Sequence, residues 1–247
     1  MKEYLEDMVD IKKKFIEYKD GENLLEGFMA WDEDTNESRP GILVGHAWAG
    51  RSKFECTKAE DLAKLGYVGF ALDVYGKGIT GKNKEENAKL MTPFIEDRSI
   101  LQKRLQLALN TLKEQDEVDA NKVASIGYCF GGLMSLDLAR INAEIHGAVS
   151  FHGILSNSEN TSNDEIKSRI LVLHGWDDPM VPPDSVIGFT EEMKNRKADW
   201  QLHAFGGAMH AFTKKDANDP EHGMQYHKAS DKRSWLLMQS FLQELFG

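Results

Sequence analysis

Cysteine is scarce in this chain. Two residues, Cys56 and Cys129, in a sequence of 247 are too few for a disulfide framework and lack the paired spacing of a metal site. His222 and His227 lie in a polar stretch with no third ligand nearby, so no metal is expected, nor is a cofactor, and a reducing compartment, where free thiols persist, fits. Basic charge is also short: 30 Lys and Arg against 40 Asp and Glu give a net charge of −10. That argues against nucleic acid and against anionic membrane surfaces as partners, since both need a basic footprint. No run of eighteen apolar residues occurs, and the charged stretch from Met1 to Asp20 has no apolar core of a secretion signal. A cytoplasmic protein is expected. Internal repeats, low-complexity tracts and linkers are missing too, so residues 1–247 read as a single domain. Heptads and long apolar surface stripes are missing, which makes a monomer the default and a dimer the alternative.

What the chain does contain is a regular alternation of short apolar runs and helical patterns. Residues 1–10 are charged and are assigned to the periphery, as a short helix or a frayed end. Phe15 to Tyr18, the turn at Asp20-Gly21 and Leu24 to Trp31 predict an antiparallel hairpin. Buried strands are predicted at Gly41–Gly45, Tyr67–Leu72, Val123–Tyr128, His146–Phe151, Ile170–His174 and Gln201–Phe205. Helices are predicted at Ser52–Leu65, Phe94–Lys113, Asp184–Asn195 and Asp231–Phe246, with another opening after Cys129. Between Gly76 and Pro93 the pattern is lost in a polar, glycine-bearing excursion, residues 76–93, which is a candidate lid. Strands alternating with helices predict an α/β fold with a mainly parallel central sheet covered by helices on both faces.

The strand at Val123 runs into Gly127-Tyr128-Cys129-Phe130-Gly131-Gly132. A Gly-x-nucleophile-x-Gly sequence between a strand and a helix is the nucleophile elbow of α/β-hydrolases. The flanking glycines let strand and helix approach, and the tight turn pushes the central side chain out of the backbone. At a helix N-terminus a thiol is acidified, its pKa falling from about 8.5 to roughly 3.5–7.5.

In an open parallel sheet, reactive groups sit beyond the carboxyl ends of the strands. After the strand ending at His174 comes Trp176-Asp177-Asp178-Pro179, and after the strand ending at Phe205 comes Gly206-Gly207-Ala208-Met209-His210. Of eight histidines, His210 alone lies in a glycine-rich loop after the last predicted strand. The order nucleophile, acid, histidine is that of the α/β-hydrolases. Cys129, an aspartate and His210 are thus the candidate catalytic residues.

These motifs resemble those of the dienelactone hydrolase (carboxymethylenebutenolidase) family of α/β-hydrolases. Its Gly-Tyr-Cys-x-Gly-Gly elbow matches 127–132, its Asp-x-x-Val-Pro matches Asp178 to Pro182, and its His-x-Phe matches His210 to Phe212. The resemblance selects Asp178 over Asp177 as the acid. It implies hydrolysis of small esters or lactones through a Cys129–His210–Asp178 triad and an acyl-thioester intermediate. It further implies an oxyanion hole built from the backbone N–H groups of Trp48 and Phe130. Lys77 and Lys214 fall where the family's archetype clamps a substrate carboxylate with two arginines, so an anionic substrate is expected, held less tightly than by a planar fork.

One departure stands out. Ala47 occupies the place of the archetype's proton-accepting glutamate, leaving Cys129 to rely on His210, alone or with help from His46. Tyr128 and Trp176 flank the nucleophile and the acid and are assigned to the acyl site. His152, at a strand end, is assigned to the cavity wall or, equally, to plain packing. Cys56 sits in a helical pattern as a small buried hydrophobe. Two other readings stay open: a broad-range carboxylesterase or thioesterase, and a non-catalytic redox-sensing module whose Cys129 is reversibly oxidised.

Overall fold

The computed structural model describes residues 10–33, 37–158 and 162–247. The expectation for residues 1–10 lies, apart from Asp10, outside the described residues. Strands β1 (Ile11–Asp20) and β2 (Asn23–Asp32) form the expected antiparallel hairpin, turning at Gly21 with a φ of 58°. They are followed by β3 (Arg39–Gly45), β4 (Val68–Ala71), β5 (Val118–Tyr128), β6 (Gly147–Phe151), β7 (Arg169–Gly175) and β8 (Trp200–Phe205). The eight strands make one sheet in the order β1-β2-β4-β3-β5-β6-β7-β8. β2 runs antiparallel to β4, and every pairing from β4 onward is parallel. This is the α/β-hydrolase architecture expected from the sequence.

Among the described residues, six α-helices cover the sheet: α1 (Lys53–Ala63), α2 (Lys84–Glu96), α3 (Arg98–Lys113), α4 (Phe130–Arg140), α5 (Pro183–Asn195) and α6 (Lys228–Phe246). Strand side chains alternate between two cores because successive residues point to opposite faces. Ile42, Val44, Ala124, Ile126, Leu171 and Leu173 pack with α1 and α6, while Leu43, Val123, Ile170 and Val172 pack with α3, α4 and α5. Behind the elbow several buried charged groups are paired, as burial demands. Arg98 bonds Asp137, Arg140 grips Glu192 at 2.8 and 2.9 Å, and Arg196 donates to the Arg140 carbonyl at 2.8 Å. These bonds tie α4 to α3 and α5.

The structure corrects the excursion at residues 76–93. Its first part is pinned by backbone bonds from Lys77 to Leu24 (2.8 Å) and from Gly81 to Ala49 (3.0 Å), and its second part is helix α2. Asn83 caps that helix by accepting from the Glu86 N–H at 2.8 Å, and Glu86 reaches back to the Lys82 N–H at 2.9 Å. The single helix expected from Phe94 to Lys113 is therefore two, broken at Asp97, which caps α3.

The order of the strands places the chemistry. The chain leaves β3 toward β4 on one side and returns to β5 on the other, so the loops after β3 and β5 open on one crevice. Trp48 lies in the first loop and Cys129 in the second.

Candidate active site

Cys129 sits between β5 and α4 at φ 58°, ψ −116°, a region that L side chains rarely adopt. The turn is held by bonds from the Cys129 N–H to the Phe151 carbonyl and from the Gly132 N–H to the Cys129 carbonyl, both 3.0 Å. The glycines of the motif are needed for close approach. A Cβ on Gly127 would lie 1.9 Å from the Gly131 carbonyl oxygen, and one on Gly131 would lie 2.1 Å from that of Gly45.

His210 Nδ1 lies 2.8 Å from Asp178 Oδ2, and the other Asp178 oxygen accepts from the Met180 N–H at 2.8 Å. Both residues are buried, whereas Asp177 is exposed, so the geometry favours Asp178 as the acid. His210 is also clasped by an element the sequence did not suggest, a ribbon of β9 (Asn218–Asp219) and β10 (Met224–Gln225). The His210 N–H donates to the Gly223 carbonyl at 2.9 Å, and the His210 carbonyl accepts from Gln225 at 3.1 Å. The ribbon leans on the acid loop: Gly223 has a φ of 74°, and a Cβ there would fall 2.1 Å from Pro179. Gly223→Ala is therefore expected to shift the acid loop or the ribbon. We expect kcat to fall about 10–100-fold and stability to fall by about 1–3 kcal/mol, read by steady-state kinetics and urea unfolding.

The thiol and the imidazole perturb each other. Burial opposes ionisation of Cys129, yet the nearby His210, with the Phe130 and Trp48 backbone N–H groups, overcomes it and brings the thiol below its ordinary pKa. For His210, burial also opposes charge, but the Cys129 thiolate and the Asp178 carboxylate carry its pKa up to about 10. His210 Nε2 makes no well-formed hydrogen bond. Charge attraction and a loose hydrogen-bonding contact thus hold the pair together, a looseness common before substrate binds. Together these shifts favour the thiolate–imidazolium pair over the neutral one.

Cys129 opens into a cavity of about 620 Å³. Ala47, Trp48, Tyr128, His152, Ile154 and Met180 contribute to its wall, Met91 of α2 closes one side, and Met224 of the ribbon another. Among the described residues lining it, Lys214 is the one lysine or arginine, set against the carboxylates of Glu55, Asp216 and Asp219.

The comparisons bear on this geometry. The family model described as "Dienelactone hydrolase family" matches residues 25–246. The chain belongs to the dienelactone hydrolase family. A Caenorhabditis elegans protein of uncharacterised function is 39% identical over 150 residues, spanning 60% of this chain and 95% of that one. A protein of Aquifex aeolicus (strain VF5), provisionally named a carboxymethylenebutenolidase, is 30% identical over 190 residues, spanning 74% and 81%. Among solved structures, a dienelactone hydrolase-like promiscuous phosphotriesterase from metagenomic libraries, P91, superposes with a TM-score of 0.91. It is 34% identical, covering 96% of this chain and 99% of that one. As a dienelactone hydrolase family member, the chain is a hydrolase acting on ester or lactone substrates.

Several expected dienelactone hydrolase features are placed differently. Lys77 is outside the cavity wall, bonded to Glu17 and, at 3.1 Å, to Glu26. Lys214 lines the cavity but lies 3.6 Å from Asp216. Lys77 and Lys214 thus do not line the cavity together. Trp176 is half exposed, edge-on to His174 at 6.2 Å and away from the cavity. Its exposed place on the acid loop faces solvent, which is why neighbouring Asp178 in sequence did not bring it to the acyl site. His46 is fully buried beneath the cavity and does not line it. Tyr128 does line it, stacked on Phe151 at 4.5 Å. His152 lines it as well, its Nε2 2.8 Å from Thr213 Oγ1 and its ring 5.2 Å from His210. Burial, then the charge of His210, push the His152 pKa well down, so it stays neutral. Cys56 is half buried, outside the cavity, with its thiol pushed up by burial.

The ribbon residues Asn218, Asp219 and Met224 were missed because two-residue strands leave no periodic signal. Helix α2 had one: Asn83 followed three residues later by Glu86 is a capping-box spacing. No helix among the described residues is long and apolar enough to cross a membrane.

Proposed function

We propose that this chain hydrolyses neutral, largely apolar carboxylic esters or lactones, with Cys129 as nucleophile, His210 as general base and acid, and Asp178 as its orienter. The observation that carries the reading is the acidified Cys129 thiol at the floor of an apolar cavity beside the His210–Asp178 pair. The thiolate attacks the carbonyl carbon, forming a C–S bond while the π electrons move to oxygen. The Phe130 and Trp48 N–H groups, which in the resting state point at the sulfur, receive that oxyanion. Collapse of the intermediate breaks the C–O bond, and the leaving alkoxide takes the proton from His210 Nε2. Water, deprotonated by His210, then attacks the thioester, and the thiolate leaves with the imidazolium restored. Asp178 holds the imidazole by Nδ1 throughout and stabilises its positive charge.

The anionic substrate implied by the family archetype is disfavoured. A carboxylate in this cavity would leave water for a largely apolar wall whose one lysine or arginine, Lys214, is already paired with Asp216. A neutral phosphotriester, the substrate class in the description of P91, meets the same requirement of an uncharged, apolar ligand. A redox-sensing role has less support, because Asp178 and His210 complete a base that a sensor does not need, and Cys56 is no activated partner. The test is a substrate panel: p-nitrophenyl butyrate, a neutral phosphotriester and carboxylate-bearing cis-dienelactone, each with Lys214→Ala. We expect kcat/KM on the neutral ester to exceed that on the dienelactone by about tenfold or more, equivalent to about 1.4 kcal/mol. Dienelactone as the better substrate, with its turnover dependent on Lys214, would sink the neutral-substrate reading.

A further inference from the structure

His46 follows β3 directly and is fully buried, its ring edge-on to Tyr75 at 4.7 Å and 6.2 Å from Phe130. Its two nitrogens have different partners. Nδ1 is 2.7 Å from the Ala47 carbonyl oxygen, and Nε2 is 3.4 Å from the Val74 backbone nitrogen. A carbonyl oxygen can only accept and a backbone N–H can only donate. The ring is therefore the Nδ1–H tautomer, and a proton on Nε2 would meet the Val74 N–H head-on. Burial, which lowers the His46 pKa, agrees.

The Ala47 carbonyl and the Trp48 N–H belong to one planar peptide group. The Ala47 carbonyl accepts from the Gly50 N–H at 3.0 Å across the turn, and the shorter bond from His46 adds to that hold on the direction of the Trp48 N–H and, by polarising the amide, makes it a stronger donor. Two other side chains brace the adjoining peptides. Glu55 accepts from the Ala47 N–H at 3.2 Å with one oxygen, while its other oxygen accepts from Ser52 N–H and Oγ at 2.8 and 2.7 Å, anchoring it to the start of α1. Tyr75 donates its hydroxyl to the Trp48 carbonyl at 2.9 Å. The loop is held on consecutive peptides, and its Trp48 N–H faces Cys129.

We propose that His46 is a positioning residue for the oxyanion hole, orienting and polarising the Ala47–Trp48 peptide through its Nδ1–H without touching substrate. The proposal rests on the reading of Trp48 as an oxyanion donor in Cys129 chemistry. It also gives His46 a role different from direct help to the thiol.

Two polar substitutions separate the two ring nitrogens. His46→Asn can place its amide N–H near Nδ1 and keep the bond to Ala47, whereas His46→Gln places its amide near Nε2 and keeps only the Val74 contact. With p-nitrophenyl butyrate, we expect His46→Asn to retain kcat within about fivefold of the parent. His46→Gln is expected to lose about 10–100-fold in kcat, less than outright loss of an oxyanion donor, with KM within about threefold. Alkylation of Cys129 by iodoacetamide, a displacement at carbon that forms no oxyanion, is expected to change less than about threefold in either variant. Should His46→Gln fail to fold, Tyr75→Phe, which keeps the ring and removes the bond to the Trp48 carbonyl, reads the same brace, with kcat expected about 3–10-fold lower at unchanged alkylation. His46→Gln matching or exceeding His46→Asn, or a fall in alkylation as large as that in kcat, would overturn the proposal. Cys129→Ala is the control on the underlying reading: parental turnover in that variant means the thiol chemistry itself is wrong, whatever the His46 variants do.

Discussion

Cys129→Ala is expected to lower kcat on p-nitrophenyl butyrate by about 10⁵–10⁶-fold, the scale on which removing a triad nucleophile acts. The elbow offers nothing to take its place. Phe130 and Gly132 supply only backbone at the turn, and Cys56 lies outside the cavity with its thiol pushed up by burial. What survives is binding and the oxyanion donors, which alone leave about 10³–10⁴-fold over the reaction in water. The same substitution removes the charge that contributes most to raising the His210 pKa. His210, near 10 in the parent, is then expected to titrate closer to neutrality, visible as a downward move of its imidazole resonance titration. Folding should be spared, because the backbone bonds to Phe151 and Gly132 do not involve the thiol. Turnover within tenfold of the parent, or an unmoved His210 titration, would contradict the assignment.

The parts of this molecule that were legible in the sequence are those in which a local rule and the tertiary context agree. The buried strands β3 to β7 read as apolar runs because both their faces are covered, and the ends of β5 and β7 located Cys129 and the acid loop, as the end of β8 located the histidine loop. Helix α2 was obscured because its residues Lys84 to Lys89 are mostly solvated, and the apolar pattern that signals a helix needs a core to face. Its cap was readable; its function as a cavity wall through Met91 was not. The lysine clamp misled for another reason. Position in a motif says where a side chain starts, but Glu17 and Glu26, distant in sequence, decide where Lys77 ends. His46 was suspected from its place beside Ala47, where the family's archetype has its glutamate, yet only the bonds of its two nitrogens to Ala47 and Val74 define a role.

Asp178→Asn is expected to lower kcat by about 10³–10⁴-fold, the second-largest effect, although one atom changes. Each Asp178 oxygen accepts one hydrogen bond: Oδ1 from the Met180 N–H and Oδ2 from His210 Nδ1–H, both at 2.8 Å. Asparagine has one acceptor and one donor to offer. With its oxygen on Met180, its NH₂ faces His210 Nδ1 and enforces the Nε2–H tautomer, which cannot take the thiol proton. With its oxygen on His210, the NH₂ is driven against the Met180 N–H, leaving a buried donor unpaired at a cost of about 1–3 kcal/mol. The first arrangement avoids that cost, so the wrong tautomer prevails. The pH profile should record it. His210 charge is the largest influence lowering the Cys129 pKa against burial, and Asp178 helps to hold that charge in place. Without the carboxylate, His210 loses its proton at lower pH, and over the range where it is neutral the thiol ionises less readily. The acid limb of kcat/KM is therefore expected to move to higher pH in Asp178→Asn, while the parent stays active down to the depressed thiol pKa. A variant with parental kcat, or with its acid limb moved to lower pH, would show that Asp178 does not orient the base.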